Sequence, residues 1–169
     1  GYFSPYGNPQ LKDGPEGEYL TDRLTDEVIR YISEPKEKPF FVYLSYYTVH
    51  LPLQAKAEKI AKYRRKLSRA VPADSSFVKK GETYHKLVQD IPAYAAMVES
   101  LDENIGRLLD TLHRSGLDER TIVVFTSDNG GMATSNTTRN IPTSNLPLRA
   151  GKGYLYEGGI KVPAIIRWS

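Results

Sequence analysis

No cysteine occurs among the 169 residues, so the chain can form no disulfide, no thiolate metal site and no cysteine nucleophile. No stretch approaches the length of a continuous apolar membrane span. The start, Gly1-Tyr2-Phe3-Ser4-Pro5, lacks the charged and apolar regions of a signal peptide. A dominant charge sign is missing too: 23 basic residues stand against 20 acidic, a formal net charge of +3, with both signs spread along the chain. That balance argues against a nucleic-acid footprint, although residues 56–80 are locally basic and suit an anionic substrate. There is no internal repeat and no low-complexity tract. The length allows one domain with a real core rather than two.

The most informative stretch that is present runs from Thr121 to Gly131, where Ile122-Val123-Val124-Phe125 gives way to Ser127-Asp128-Asn129-Gly130-Gly131. β-branched and aromatic residues without polar alternation predict a strand covered on both faces, as in an α/β sheet. Ligands of such sheets gather at the carboxyl ends of the strands. Asp128 and Asn129 offer one charged and one neutral hard oxygen, suited to a calcium- or magnesium-type ion. The same residues also read as a strand followed by an Asx-type turn.

Around this stretch the chain alternates. Residues 1–19 carry four prolines or glycines in the first nine positions and predict a loop-like lead-in. Leu24, Val28, Tyr31 and Ile32 fall on one face of a helix over 21–32, which Pro35 and Pro39 close. Phe40 to Tyr46 predicts a second buried strand, leading into Tyr47-Thr48-Val49-His50-Leu51-Pro52. Residues 55–69 suit a basic helix ending in Arg64-Arg65-Lys66, a solvated face with substrate steering as the lesser option. Residues 71–90 read as a surface excursion with partial helix. Asp90 and Pro92 open a long helix, with Met97, Leu101, Ile105, Leu108 and Leu112 at helical spacing and Gly116 beyond its end. The strand at 121 comes next, then a long polar loop over 132–150 and a final strand over 162–168. A helix followed by a strand, twice over, predicts parallel strands joined by right-handed crossovers. Only three convincing strands occur, whereas helix-covered sheets usually hold about five or six, which suggests the middle of a domain.

Four segments in order carry a family resemblance. Phe40 to His50-Leu51-Pro52, Tyr94 to Asp102, Thr126 to Gly131, and Leu148-Arg149-Ala150-Gly151-Lys152-Gly153 with Tyr156-Glu157-Gly158-Gly159 together resemble the arylsulfatase-type sulfatases of the alkaline-phosphatase-like hydrolases. Residues 13–26 resemble the segment preceding the first of these. The resemblance implies an α/β fold, a partial alkaline-phosphatase-like sandwich with a mostly parallel sheet flanked by helices. It also implies that residues 1–169 are an internal segment of one catalytic domain, without the nucleophile region and the C-terminal region.

For the site, the resemblance implies that Asp128 and Asn129 are metal ligands for Ca2+, with Mg2+ or Mn2+ possible. His50 would contact the sulfate ester and help protonate the leaving oxygen, and Lys152 would bind a sulfate oxygen. A cation and positive donors suit the charge that sulfate-ester cleavage builds on oxygen. The family's formylglycine nucleophile arises in a Cys/Ser-x-Pro-x-Arg motif, absent from these residues. It is expected in a missing N-terminal part, and the chain alone is expected to be inactive. The implied substrate is a sulfated small molecule or carbohydrate, with no nucleic acid and no membrane span, in a secreted, periplasmic or lysosomal setting. A phosphate or phosphonate ester hydrolase of the same superfamily and a non-catalytic metal-binding remnant are the alternatives. His50 also reads as a structural histidine, Lys152 as a solvated loop lysine and Gly158-Gly159 as a plain bend before a strand. His85 reads as a surface residue, and His113 as a cation at a helix C-terminus.

Overall fold

The computed structural model describes residues 1–70 and 75–168. In chain order its elements are α1 (Leu20–Ser33), α2 (Ala57–Leu67), β1 (Phe77–Lys80), β2 (Thr83–Lys86), α3 (Pro92–Arg114), β3 (Val123–Thr126), β4 (Thr134–Ser135), α4 (Glu157–Ile160) and β5 (Ala164–Arg167), with a 3-10 turn at Asp118–Arg120. They fall into two compact units, one built from residues 1–63 and 93–121, the other from 64–92 and 122–167. None of the described helices is long and apolar enough to cross a membrane.

The first unit packs Tyr2, Tyr19, Ala55, Ala96 and Met97 as its core, with Phe3, Leu53, Ile60 and Tyr63 against it. The expected helices at 21–32 and 92–112 are present as α1 and α3, but their most buried positions are partly polar. On α1 these are Thr21, Thr25 and Ile32, whereas Tyr31 is exposed. Burial of the threonines is compensated by hydrogen bonds. Thr25 donates to the Thr21 carbonyl and pairs with the Tyr46 hydroxyl at 2.7 Å, and Thr21 pairs with Thr48. On α3, Ser100 bonds back to the Ala96 carbonyl, and Asn104 reaches both the Ser100 carbonyl and Asp22 of α1. Apolar periodicity located these helices; hydroxyl bonding decided which face turned inward.

Between α2 and α3 the buried Lys59 pairs with Glu99 and Glu103, while Lys62 also reaches Glu99 at 2.9 Å. The Lys62 ammonium, more than burial opposes it, holds the Glu99 carboxyl down to about 2, with Lys59 and Tyr63 adding to the effect. A depressed folded-state carboxyl contributes stability above its unfolded value and loses it on protonation. The unit should therefore lose stability as pH falls from the ordinary glutamate value of 4.5 toward about 2. Acid titration followed by circular dichroism should show that loss in the parent and a flattened one in Glu99→Gln.

Residues 40–46 alternate in burial, but among the described residues they join no ladder. Phe41 and Tyr43 are 87% and 83% exposed. The parallel pairing expected of this run is not observed. Every ladder among the described strands is antiparallel: β1 with β2, β2 with β4, and β3 with β5. β3 pairs with β5 in the register Val123 to Arg167 and Thr126 to Ala164. Val124, Ile165 and Ile166 remain mostly exposed on this two-stranded sheet.

The second unit corrects the reading of residues 71–90. Residues 71–74 lie outside the described region, and residues 77–86 form a β-hairpin rather than partial helix. Lys80 faces Thr83 across a two-residue turn whose Gly81 has φ +60. Phe77-Val78 and Thr83-Tyr84 flanking a Gly-containing pair were the signal for it. The expected loop over 132–150 also contains β4, which extends this hairpin into three strands, and it buries Ile141 and Thr143.

Candidate active site

β3 ends at Thr126, and Ser127 turns the chain by donating its hydroxyl to the Asn129 carbonyl at 2.9 Å. Asp128 is exposed, and its carboxylate has no hydrogen-bond or ion-pair partner among the described residues. Asn129 donates its amide to the Gly130 carbonyl at 3.0 Å, and its Oδ1 has no hydrogen-bond partner among the described residues. An unpaired carboxylate beside a free amide oxygen is the donor set expected of two ligands to a hard cation. No group of three or more His, Asp or Glu able to hold a metal occurs among the described residues.

The turn is fixed in place by the glycines beyond it. Gly130 is buried; its amide donates to the Gly159 carbonyl at 2.9 Å, and a Cβ there would lie 1.8 Å from the Gly158 carbonyl oxygen. The Gly158 amide returns a bond to the Arg149 carbonyl at 2.8 Å, and the Lys152 amide donates to the Gly131 carbonyl at 3.1 Å. Asn145 sits among these segments, its amide group within 2.8 to 3.2 Å of the carbonyls of Gly131, Ala150 and Gly158. Backbones this close admit no side chain, which is the physical requirement for glycine at 130, 158 and 159. Gly158 and Gly159 lie buried in the helical turn α4 and form part of this knot, not a plain bend.

Asp128, Asn129 and Lys152 therefore rise from one backbone frame. The Lys152 side chain is half-buried and makes no ion pair or hydrogen bond among the described residues. A pocket of about 290 Å³ opens beside the turn, walled by Asn129, Asn145 and Lys161 among others. Asn129 is in its walls, and Asp128 and Lys152 are not.

His50 belongs to the first unit, on the loop after residues 40–46. Its amide donates to the Tyr47 carbonyl at 2.8 Å, and its exposed ring places Nδ1 3.0 Å from the Leu51 carbonyl. A carbonyl can only accept, so Nδ1 carries the hydrogen and Nε2 is the nitrogen left to exchange a proton. The loop is clasped from below by the Tyr2 hydroxyl, 2.7 Å from the Tyr47 carbonyl and 2.9 Å from that of His50. Burial first, and the neighbouring Tyr19, push the Tyr2 phenol up to about 12. A raised folded-state value means stability present below the unfolded value near 10 and lost as pH rises toward about 12. Tyr2→Phe should destabilise the chain by about 1 to 2 kcal/mol at neutral pH. Thermal melts should show that gap shrinking in strong alkali.

The other two histidines have structural partners. His85 is half-buried rather than on the surface, with Nε2 3.0 Å from the Thr83 hydroxyl and Nδ1 3.2 Å from that of Thr134. Burial, then the charges of Lys80 and Arg149, hold its imidazole below the ordinary range. His113 pairs with Asp118 at the end of α3. Asn145 escaped the reading of the sequence, because one asparagine in a polar loop gives no signal until the carbonyls around it are in place.

The sulfatase family pattern matches residues 1–169 of the chain. The chain belongs to the sulfatase family. A sulfatase from Formosa agariphila is 36% identical over 174 residues, covering 95% of this chain and 27% of that protein. The steryl-sulfatase of Mus musculus is 33% identical over 88% of this chain and 20% of its own length. Among solved structures, Ps i-CgsB in complex with k-i-k-neocarrahexaose is similar with a TM-score of 0.69 and 32% identity, over 94% of this chain and 30% of that one. The fold class is accordingly the α/β class of the alkaline-phosphatase-like hydrolases. The chain spans under a third of the length of these relatives.

Proposed function

We propose that this sulfatase segment supplies four groups to a sulfuric ester hydrolase: two metal ligands, Asp128 and Asn129, and two sulfate-binding groups, Lys152 and His50. We further propose that it is an internal part of a single catalytic domain whose nucleophile comes from elsewhere in the polypeptide. The observation that carries the reading is the shared frame, in which the Lys152 amide bonds the Gly131 carbonyl two residues beyond Asn129. A ligand pair and a cation on one rigid backbone keep a constant separation, which positions them for a single anion.

A bound Ca2+ would polarise the ester oxygens when present. The residues of the chain do the remaining work proposed here. Lys152 donates to a sulfate oxygen, and its flanking Gly151 and Gly153 permit the tight turn that presents it; Gly153 has φ +88. His50 holds a proton on Nδ1 against the Leu51 carbonyl and offers Nε2 for the leaving oxygen. The substrate class is a sulfated compound. A sulfated carbohydrate is the reading favoured by the excess of basic residues in the second unit and by the oligosaccharide complex of the similar Ps i-CgsB.

The test compares sulfate with phosphate monoesters on a complete sulfatase carrying this segment. Calcium-dependent sulfate release is expected, with phosphate esters turned over far more slowly. Preference for the phosphate esters would overturn the reading. The 169-residue chain by itself, given an aryl sulfate and calcium, should show no turnover in a product assay.

A further inference from the structure

Arg149 lies three residues before Lys152, and its guanidinium is laid flat on the Tyr156 ring at 3.6 Å. Among the described residues it has no carboxylate partner and no side-chain hydrogen bond. Stacking locks the plane of the group and leaves its N–H fork free for a planar or tetrahedral oxyanion. Its main chain belongs to the same knot as Lys152, through the bond from the Gly158 amide to the Arg149 carbonyl. The hairpin adjoins the same knot: His85 is anchored on Thr83 and Thr134, and the Lys86 amide donates to the carbonyl of Ala133, whose own amide nitrogen lies 2.8 Å from where a Gly151 Cβ would stand. Twelve basic residues stand against five acidic in the second unit, while the first unit has eleven against fifteen. An even overall balance thus conceals one strongly cationic unit.

We propose that Arg149, supported by Tyr156, is a second anion subsite, taking a negatively charged substituent of the substrate other than the ester being cleaved. The substrate class is then a polyanionic glycan, bearing a further sulfate or a carboxylate on the same or the adjoining sugar. This rests on the reading of Lys152 as the group that binds the scissile sulfate.

The test is an NMR titration of the 169-residue chain with three disaccharides: monosulfated, disulfated, and monosulfated with a uronic acid. The doubly charged sugars should bind about tenfold more tightly than the singly charged one, as expected for one charge-assisted pair. The sulfate and carboxylate arms identify which substituent is preferred. Arg149→Gln and Tyr156→Leu should each erase the difference and leave monosulfated binding as it was. Arg139→Gln, the same charge change elsewhere in the unit, should preserve it. Lys152→Gln should weaken all three sugars. Melting curves check each fold, and Tyr156→Leu, which removes the ring that holds the guanidinium, carries the test if Arg149→Gln unfolds. Equal affinities for the three sugars, or an Arg139→Gln effect as large as that of Arg149→Gln, would overturn the subsite and leave the Lys152 site standing. Binding that is absent, or indifferent to Lys152→Gln, would overturn both.

Discussion

Gly130→Ala should destabilise the chain by about 3 kcal/mol or more, a large share of the stability of a typical domain. The added Cβ would stand 1.8 Å from the Gly158 carbonyl oxygen, with the Gly158 carbonyl carbon and the Gly159 Cα behind it. These atoms are backbone and cannot rotate away. Relief requires parting the Asp128 turn from α4, which costs the bond from the Gly130 amide to the Gly159 carbonyl. Gly106→Ala provides the contrast within the same chain. Gly106 lies on α3 with nothing within 4 Å of its would-be Cβ, so alanine there should stabilise by about 0.5 to 1 kcal/mol. Urea unfolding of the two variants should therefore move the midpoint in opposite directions. Similar small shifts in both would mean that the knot is looser than described.

Within a complete sulfatase carrying the segment, Lys152→Ala and Asp128→Ala should each lower kcat by about 100- to 1000-fold, the range for removing a preorganised charge from a transition state. Neither change should lower the melting temperature appreciably. Lys152 contributes to the frame through its backbone amide, and the side chains of both residues lack hydrogen-bond partners among the described residues. The combination of a large kinetic and a small thermal effect separates a functional group from a structural one. The effect of Asp128→Ala should also appear as a higher calcium requirement, read from kcat/KM against calcium concentration.

Much of this architecture was legible in the sequence because it depends on local periodicity. α1, α3 and β5 formed where apolar spacing, Pro92 and Gly116 placed them, and Gly116 adopts φ +63 as expected of a helix-ending glycine. The hairpin of β1 and β2 escaped because Lys79 and Lys80 mask the alternation, while its stability comes from β4, fifty residues away in the chain. The inward turn of Thr21 and Thr25 was likewise invisible, since it depends on hydroxyl partners at Tyr46 and Thr48. The site divides in the same way. Asp128, Asn129 and Lys152 were legible as candidates, two oxygen donors and an ammonium beside glycines. Asn145 and Arg149 acquire meaning only when distant carbonyls and an aromatic face come into contact with them.

The decisive measurement is a crystal structure of a complete sulfatase carrying this segment, with calcium and sulfate bound. The cation is expected on Asp128 and Asn129 oxygens and a sulfate oxygen within hydrogen-bond distance of Lys152 Nζ, with His50 Nε2 on the same anion. A sulfate bound away from these side chains, or a cation without Asp128, would contradict the proposed site.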